Sequence, residues 1–365
     1  LSGFWGNVSH FEPVAAALFP TNHSGDGSAG ANVGFGFVTR PSGEWYLFHR
    51  EYFFGARPSY CVADYARLVV VKSTDKGKTW GNKTVIASPV PNSATECALV
   101  DGAPFFDQAL GTWLYLSQCL ARDRVWNLCL FTRKAADPLG PFEEAPNNPV
   151  VKSGQLWASI CGPGKHCPSG TGSEGTPEVV HKDAKGYYYV TFHGWDPTAV
   201  KSARGIAKTK DFTTWVTADG GLTLPGDALF SSMDCDPWNI QWAPGGCVGG
   251  GEGTMLQSGG FFYHLIEAPD ITLGCLTTVG KQNWVLGLLR SPSLAWTSGE
   301  WQQFVVEPTV VPFVKSGCYI QYHRLFVDVQ TQDVYLEYWA DNIMQLFRLV
   351  PGGEPLPIVA GPPSP

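Results

Sequence analysis

A basic excess is what this chain most plainly lacks. Its 25 Lys and Arg stand against 32 Asp and Glu, a net charge of −7. Nucleic-acid binding demands a basic footprint, so that class of partner is excluded. No apolar run reaches eighteen residues, so no membrane-spanning helix is expected. No paired Cys-x-x-Cys spacing of the zinc type occurs. Sustained helical periodicity with caps at both ends is missing as well.

Glycine and proline are abundant instead, at 42 and 28 residues, and aromatic residues make up 13%. That mixture suits short strands, tight turns and sugar-stacking surfaces. The ten cysteines and the sequons at Asn7, Asn22 and Asn82 point to an oxidising, secretory route. Leu1 reads as a mature terminus left by signal-peptide removal. Close spacings suggest bridges Cys161–Cys167, Cys235–Cys247 and Cys119–Cys129, which leaves Cys61 with Cys97 and Cys275 with Cys318.

An aromatic-aliphatic strand signature recurs. It begins near Trp45, Trp113, Tyr187, Phe261 and Val334, at steps of 68, 74, 74 and 73 residues. A second apolar stretch ending in a basic residue follows each copy, as in Leu68–Lys72 and Leu128–Arg133. A fixed period holding several short strands is the mark of a propeller. The expected fold is therefore all-β: a five-bladed β-propeller in one domain over 1–350, with a Pro- and Gly-rich tail over 351–365. The first twenty residues are expected to supply the strand that closes the ring against the fifth blade.

Three acidic residues precede glycine at matching points of successive units: Asp101-Gly102, Glu174-Gly175 and Glu252-Gly253. Equivalent places in a radial array meet on its axis. Carboxylates gathered there are what glycosidic bond cleavage requires, one protonated to serve the leaving oxygen and one ionised to activate water or attack. Crowding them raises at least one pKa. The plain alternative is that an acid before glycine only forms a turn.

The segment Glu174-Gly175-Thr176-Pro177, followed by Gly186-Tyr187-Tyr188-Tyr189-Val190, resembles one in the five-bladed propeller glycoside hydrolases of the arabinanase, arabinofuranosidase and xylosidase family numbered forty-three. Val100-Asp101-Gly102-Ala103-Pro104, Gly140-Pro141-Phe142 and the Asp211-Phe212-Thr213-Thr214-Trp215 turn are similar to others of that family. The resemblance implies that Glu174 is the general acid and Asp101 the residue that tunes and orients it. The family's blade-one aspartate, its base or nucleophile, aligns near Asn32, and an amide cannot take a proton from water. Glu252 and Asp26 are the substitutes, with Glu252 favoured for its inner-strand position.

Substrate contacts are expected from Asn32, Arg50, His193, Trp195, Asp196, Trp238, Arg290 and His323. For the arginines, surface salt-bridging is the plain reading, and for His193-Gly194-Trp195-Asp196 it is an ordinary loop. Trp157 and Trp242 belong to the same Trp-rich loops, as stacking platforms or as fillers between blades. No cofactor is required by this chemistry. In related propellers an axial histidine helps to hold calcium, which makes His323 a candidate for a Ca²⁺ site; a packed core histidine is the alternative. Ser73-Thr74-Asp75-Lys76-Gly77-Lys78-Thr79-Trp80 resembles the Asp-box of sialidases, a structural turn between outer strands. One copy and five repeats disfavour a sialidase. The expectation is thus a secreted, monomeric glycoside hydrolase acting on carbohydrate, arabinose- or other pentose-containing for preference. A non-catalytic, lectin-like propeller is the alternative.

Overall fold

The structure, a computed structural model, describes residues 8–15, 34–52, 57–61, 64–156, 174–196, 201–217, 228–231, 252–269, 284–294, 302–303, 321–340 and 343–351. Every regular element among them is a strand, and none is a helix. The expected all-β class is what the chain adopts.

The strands form five antiparallel meanders. The first comprises β2 (Gly34–Thr39), β3 (Trp45–Tyr52), β4 (Ala66–Ser73) and β5 (Thr84–Ala87). The second comprises β6 (Ala98–Asp107), β7 (Thr112–Leu120), β8 (Trp126–Lys134) and β9 (Glu143–Glu144). A single parallel bridge, Ala66 to Ala98, joins these two into one eight-stranded sheet. The third meander runs β10 (Gly175–Lys182), β11 (Tyr188–Asp196), β12 (Lys201–Thr209) and β13 (Trp215–Thr217), with β14 (Ala228–Ser231) also on β12. The fourth has β15 (Gly253–Ser258), β16 (Phe261–Pro269), β17 (Trp284–Ser291) and β18 (Gln302–Gln303). The fifth has β19 (Gln321–Val327), β20 (Val334–Ala340) and β21 (Ile343–Pro351). Its fourth strand is β1 (Val8–Ala15), antiparallel to β21 from Val8 opposite Pro351 to Ala15 opposite Leu346. The expected strand from the chain's beginning is therefore present and pairs with the fifth meander.

The second strands show why the aromatic signature repeats. All eight residues of β3 are buried, as are the last eight of β7. A strand covered on both faces reads as a continuous apolar run rather than an alternating one. Gly43 and Gly186, each with φ of 86°, complete the hairpins leading into β3 and β11. That left-handed conformation favours glycine. Pro177 lies on the edge strand β10, and Pro104 lies on β6 beyond its single bridge to β4 at Ala98, so neither withholds a donor from a neighbouring ladder on that side.

Each first strand neighbours the next, β2 with β6, β6 with β10, β10 with β15, β15 with β19, and β19 with β2 again. Aromatic side chains fill the seams between meanders. Phe37 stacks on Phe326 at 4.3 Å, and Trp45 stands edge-on to Phe326 and Tyr335. Phe48, Trp113 and Tyr115 pack in the next seam, and Phe105 meets Tyr188 edge-on in the one after. Polar staples add to these. Lys182 reaches Asp107 at 2.6 Å, Lys76 reaches Asp328 at 3.1 Å, and the Arg40 guanidinium lies 4.6 Å from the Phe106 ring centre.

Two disulfides, Cys61–Cys97 and Cys119–Cys129, match the expected pairs. The other three proposed pairs lie outside the described residues. Ser73–Thr79 forms the expected turn between β4 and β5: Gly77 N donates to Ser73 Oγ at 2.8 Å, and Thr79 donates to Asp75 through both its amide and its hydroxyl.

Candidate active site

Irregularity at the start of the first strands aims the side chains. Register shifts occur at Gly34/Gly36, Leu99/Gly102, Gly175/Glu178 and Gln321/Arg324, in four of the five meanders. Bulges re-aim side chains in this way at functional rims. The glycine after the acid has a steric reason too. A Cβ on Gly102 would sit 2.1 Å from the Leu116 carbonyl oxygen, and one on Gly175 would sit 2.7 Å from the His193 ring. The acid-glycine pairs thus mark where the second strand crosses closest beneath the first.

Asp101 lies in the β6 bulge with its side chain 13% exposed, and Arg50 Nη1 donates to its Oδ1 at 2.5 Å. The Arg50 guanidinium also rests 5.1 Å from the Tyr52 ring centre. Arg50 is therefore a buried partner of a site carboxylate rather than a surface salt-bridger. Glu252, 1% exposed, pairs with Arg324 Nη1 at 2.7 Å. Tyr115 stands between the two pairs. Its hydroxyl donates to the Gly102 carbonyl at 3.2 Å and feels the charges of Arg324, Asp101, Glu252 and Arg50. Burial pushes that phenol well above its ordinary range, so it stays a neutral donor.

Glu174 opens β10, which lies against β6 and β7. It is buried, and its two oxygens accept bonds from the amides of Gly154 and Leu156, both at 2.9 Å. The carboxyl's direction is thereby fixed by the 152–156 turn. His193 sits beside it, its Nδ1 2.6 Å from Thr176 Oγ1, while Thr176 N donates to Gln118 Oε1 at 3.1 Å.

The structure pairs Asp101 with Arg50 and Glu252 with Arg324, both pairs acting on Tyr115, while Glu174 and His193 belong to the β10–β11 strand pair. His323 is fully buried, and its Nε2 donates to the Leu265 carbonyl at 2.9 Å, tying β19 to β16. That is the packed, hydrogen-bonded arrangement weighed against the calcium reading. Among the described residues no cluster of His, Cys, Asp and Glu is arranged to hold a metal ion. Asp26, Asn32 and Trp238 lie outside the described residues, as do Trp157 and Trp242 and the side chains of Trp195, Asp196 and Arg290.

Three charged residues of the site escaped the sequence reading. Arg324 and Glu337 face each other across β19 and β20, both fully enclosed. Burial works against the Arg324 charge, and the carboxylates of Glu252, Glu178 and Glu337 outweigh it. Burial drives Glu337 well above the usual carboxylate range; Arg324 pulls it back and Glu252 adds to the rise. Asp64, before β4, is only partly buried, and its pKa is raised by that burial and by Asp101, against the pull of Arg50, Arg57 and a hydrogen bond with Tyr52. Burial therefore leads the rise at Glu337 and Asp64, and a neighbouring carboxylate adds a smaller share in each. The hint in the sequence was slight: an Arg following the axial His, and acids outside any acid-glycine pair.

No family model matches the chain, and no curated protein matches it. Solved structures do. An endo-arabinase from Bacteroides thetaiotaomicron is 14% identical, with 92% of this chain and 98% of that one covered, at a TM-score of 0.56. A family 117 glycoside hydrolase of the marine bacterium Zobellia galactanivorans is 12% identical over 94% and 91%, with a TM-score of 0.57. The α-L-arabinofuranosidase of Podospora anserina, solved with cellotriose, is 11% identical over 94% and 98%, also at 0.57. The chain has the fold of the propeller glycoside hydrolases. The resemblance read from its motifs is thus met at the level of fold, and at identities where only fold is shared.

Proposed function

We propose that the chain is a secreted, five-bladed propeller glycoside hydrolase that cleaves a polysaccharide or oligosaccharide, with arabinose- or other pentose-containing substrates first. What supports this reading is that Asp101, Glu174 and Glu252 stand at the starts of first strands that neighbour one another in turn, in a fold shared with glycosidases. The cyclic order of the first strands supports five blades. The two disulfides agree with an oxidising compartment.

In this reading Glu174 protonates the leaving oxygen and Asp101 tunes it from the neighbouring strand. One of the two amide bonds to Glu174 opens before that carboxyl carries a proton to a sugar. Arg50 keeps Asp101 in place, and His193 lines the adjacent wall. Glu252, enclosed and bound to Arg324, serves better as an organiser of the axis than as a base in contact with water.

A panel of polysaccharides and aryl glycosides tests this. Glu174→Gln keeps the shape and removes the transferable proton, so turnover of poor leaving groups falls by about 10²–10⁴-fold. Activated aryl glycosides, which need less protonation, suffer far less. Sugar binding without turnover by the wild type would instead favour the lectin-like alternative. Unchanged activity of the variant on both substrate types would remove Glu174 from the acid role.

A further inference from the structure

By the sequence resemblance an amide, Asn32, stands just ahead of the first meander where the family has a carboxylate, yet another segment of that meander carries an acid beside Asp101. Asp64 lies between Cys61 and Ala66. Cys61 is bridged to Cys97, and Ala66 pairs with Ala98. The two clamps, on either side of Asp64, hold Cys61 and Ala66 against the segment that leads into the Asp101 strand. Tyr52, Cys61, Ala66, Cys97, Ala98, Val100 and Leu120 pack as one apolar cluster under it. Tyr52, a neutral phenol because of burial, is hydrogen-bonded to Asp64, and its ring carries the Arg50 guanidinium that binds Asp101. Asp64 and Asp101 thus flank one arginine, on two segments fixed to each other.

From this arrangement we propose that Asp64 is the catalytic base of the mouth, the carboxylate that takes a proton from the attacking water. The inference rests on the hydrolase reading above.

Three features suit Asp64 to the task. It is partly exposed, so water can reach it, in contrast to Glu252. The groups facing it are Arg50 and Tyr52 from β3, Asp101 from β6 and Arg57 from the preceding loop. The two arginines hold it ionised, while burial and the Asp101 charge strengthen its hold on a proton. A base whose pKa lies closer to the working pH is the more effective acceptor. In the step itself a water O–H bond breaks and the proton passes to an Asp64 carboxylate oxygen. The water oxygen bonds to the anomeric carbon. The glycosidic C–O bond breaks, its electron pair leaving with the departing oxygen, which takes the proton of Glu174. One water is consumed, and the two carboxyls return to their starting states by proton exchange with solvent.

The test uses the full chain with the 4-nitrophenyl and 2,4-dinitrophenyl α-L-arabinofuranosides and an arabinan. Asp64→Asn should lower kcat by about 10²–10⁴-fold on all three, because the loss of a base does not depend on the leaving group. Glu174→Gln should spare the dinitrophenyl substrate. The smaller variant Asp64→Gly, given sodium azide, should recover turnover of the dinitrophenyl substrate and release a glycosyl azide, which a merely structural residue would not do. Wild-type turnover lost in Glu174→Gln but kept in Asp64→Asn overturns this inference alone. So does an Asp64→Gly protein that melts like wild type yet gains nothing from azide. Absence of wild-type turnover on all three substrates overturns the base assignment together with the arabinose-directed hydrolase reading on which it rests.

Discussion

Asp75 accepts bonds from Thr79 N, Thr79 Oγ1 and Ser73 Oγ, at 2.8, 2.6 and 2.8 Å, and the Thr79 hydroxyl and amide lead in holding its carboxyl down at about 2. A depressed acid contributes stability above its ordinary pKa and loses it as pH falls through the folded value. Asp75→Asn should therefore lower Tm at pH 7, and the gap from wild type should narrow between pH 4 and 2; thermal melts across that range check this. At the mouth, Asp101→Asn should shift the alkaline limb of the pH–rate profile to lower pH, because a negative charge beside the acid is removed and its proton is lost more readily. A profile that overlays wild type would count against contact between Asp101 and the acid. Residue by residue, the acid-glycine pairs were legible because a second strand passing so close leaves room for no Cβ at Gly102 or Gly175. Asp64, Arg324 and Glu337 were not. Their meaning comes from partners on other strands, and no local spacing encodes such partners.

The middle strands were the most readable elements. Burial of β3 and β7 on both faces forces long aromatic-aliphatic runs, and these set the period in the sequence. The outer strands are another matter: β9 and β18 hold two residues each, too few to carry any pattern. Trp45 fills the seam between the fifth and first meanders and is fully buried. Trp45→Ala should cost about 3–5 kcal/mol, read as a lower urea midpoint with little change in slope. Across β19 and β20, Glu337 carries the opposite pH sign to Asp75. Its raised pKa means that the folded state resists ionisation, so its burden grows as pH rises above the usual carboxylate value. Glu337→Gln should raise Tm more at pH 8 than at pH 4. A gain that is equal at both values would show that Glu337 is not held neutral.

At the scale of the whole molecule, five meanders without a helix among the described residues should give a far-UV spectrum lacking the paired helical minima. Peptide mapping without reduction should recover Cys61–Cys97 and Cys119–Cys129, and the double change Cys61→Ser with Cys97→Ser should cost about 2–4 kcal/mol. If the clamp also sets the Asp64–Asp101 spacing, that variant loses more activity at equal folded fraction than its Cys119→Ser, Cys129→Ser counterpart does. The pairing of β1 with β21 has a further consequence, for synthesis. Four meanders can each form from one contiguous stretch as it leaves the ribosome. The fifth cannot, because its outer strand precedes the other four meanders and that strand's partner follows them. A nascent chain thus carries β1 as an open edge while the four intervening meanders are made, and only the emergence of β21 gives that edge its partner.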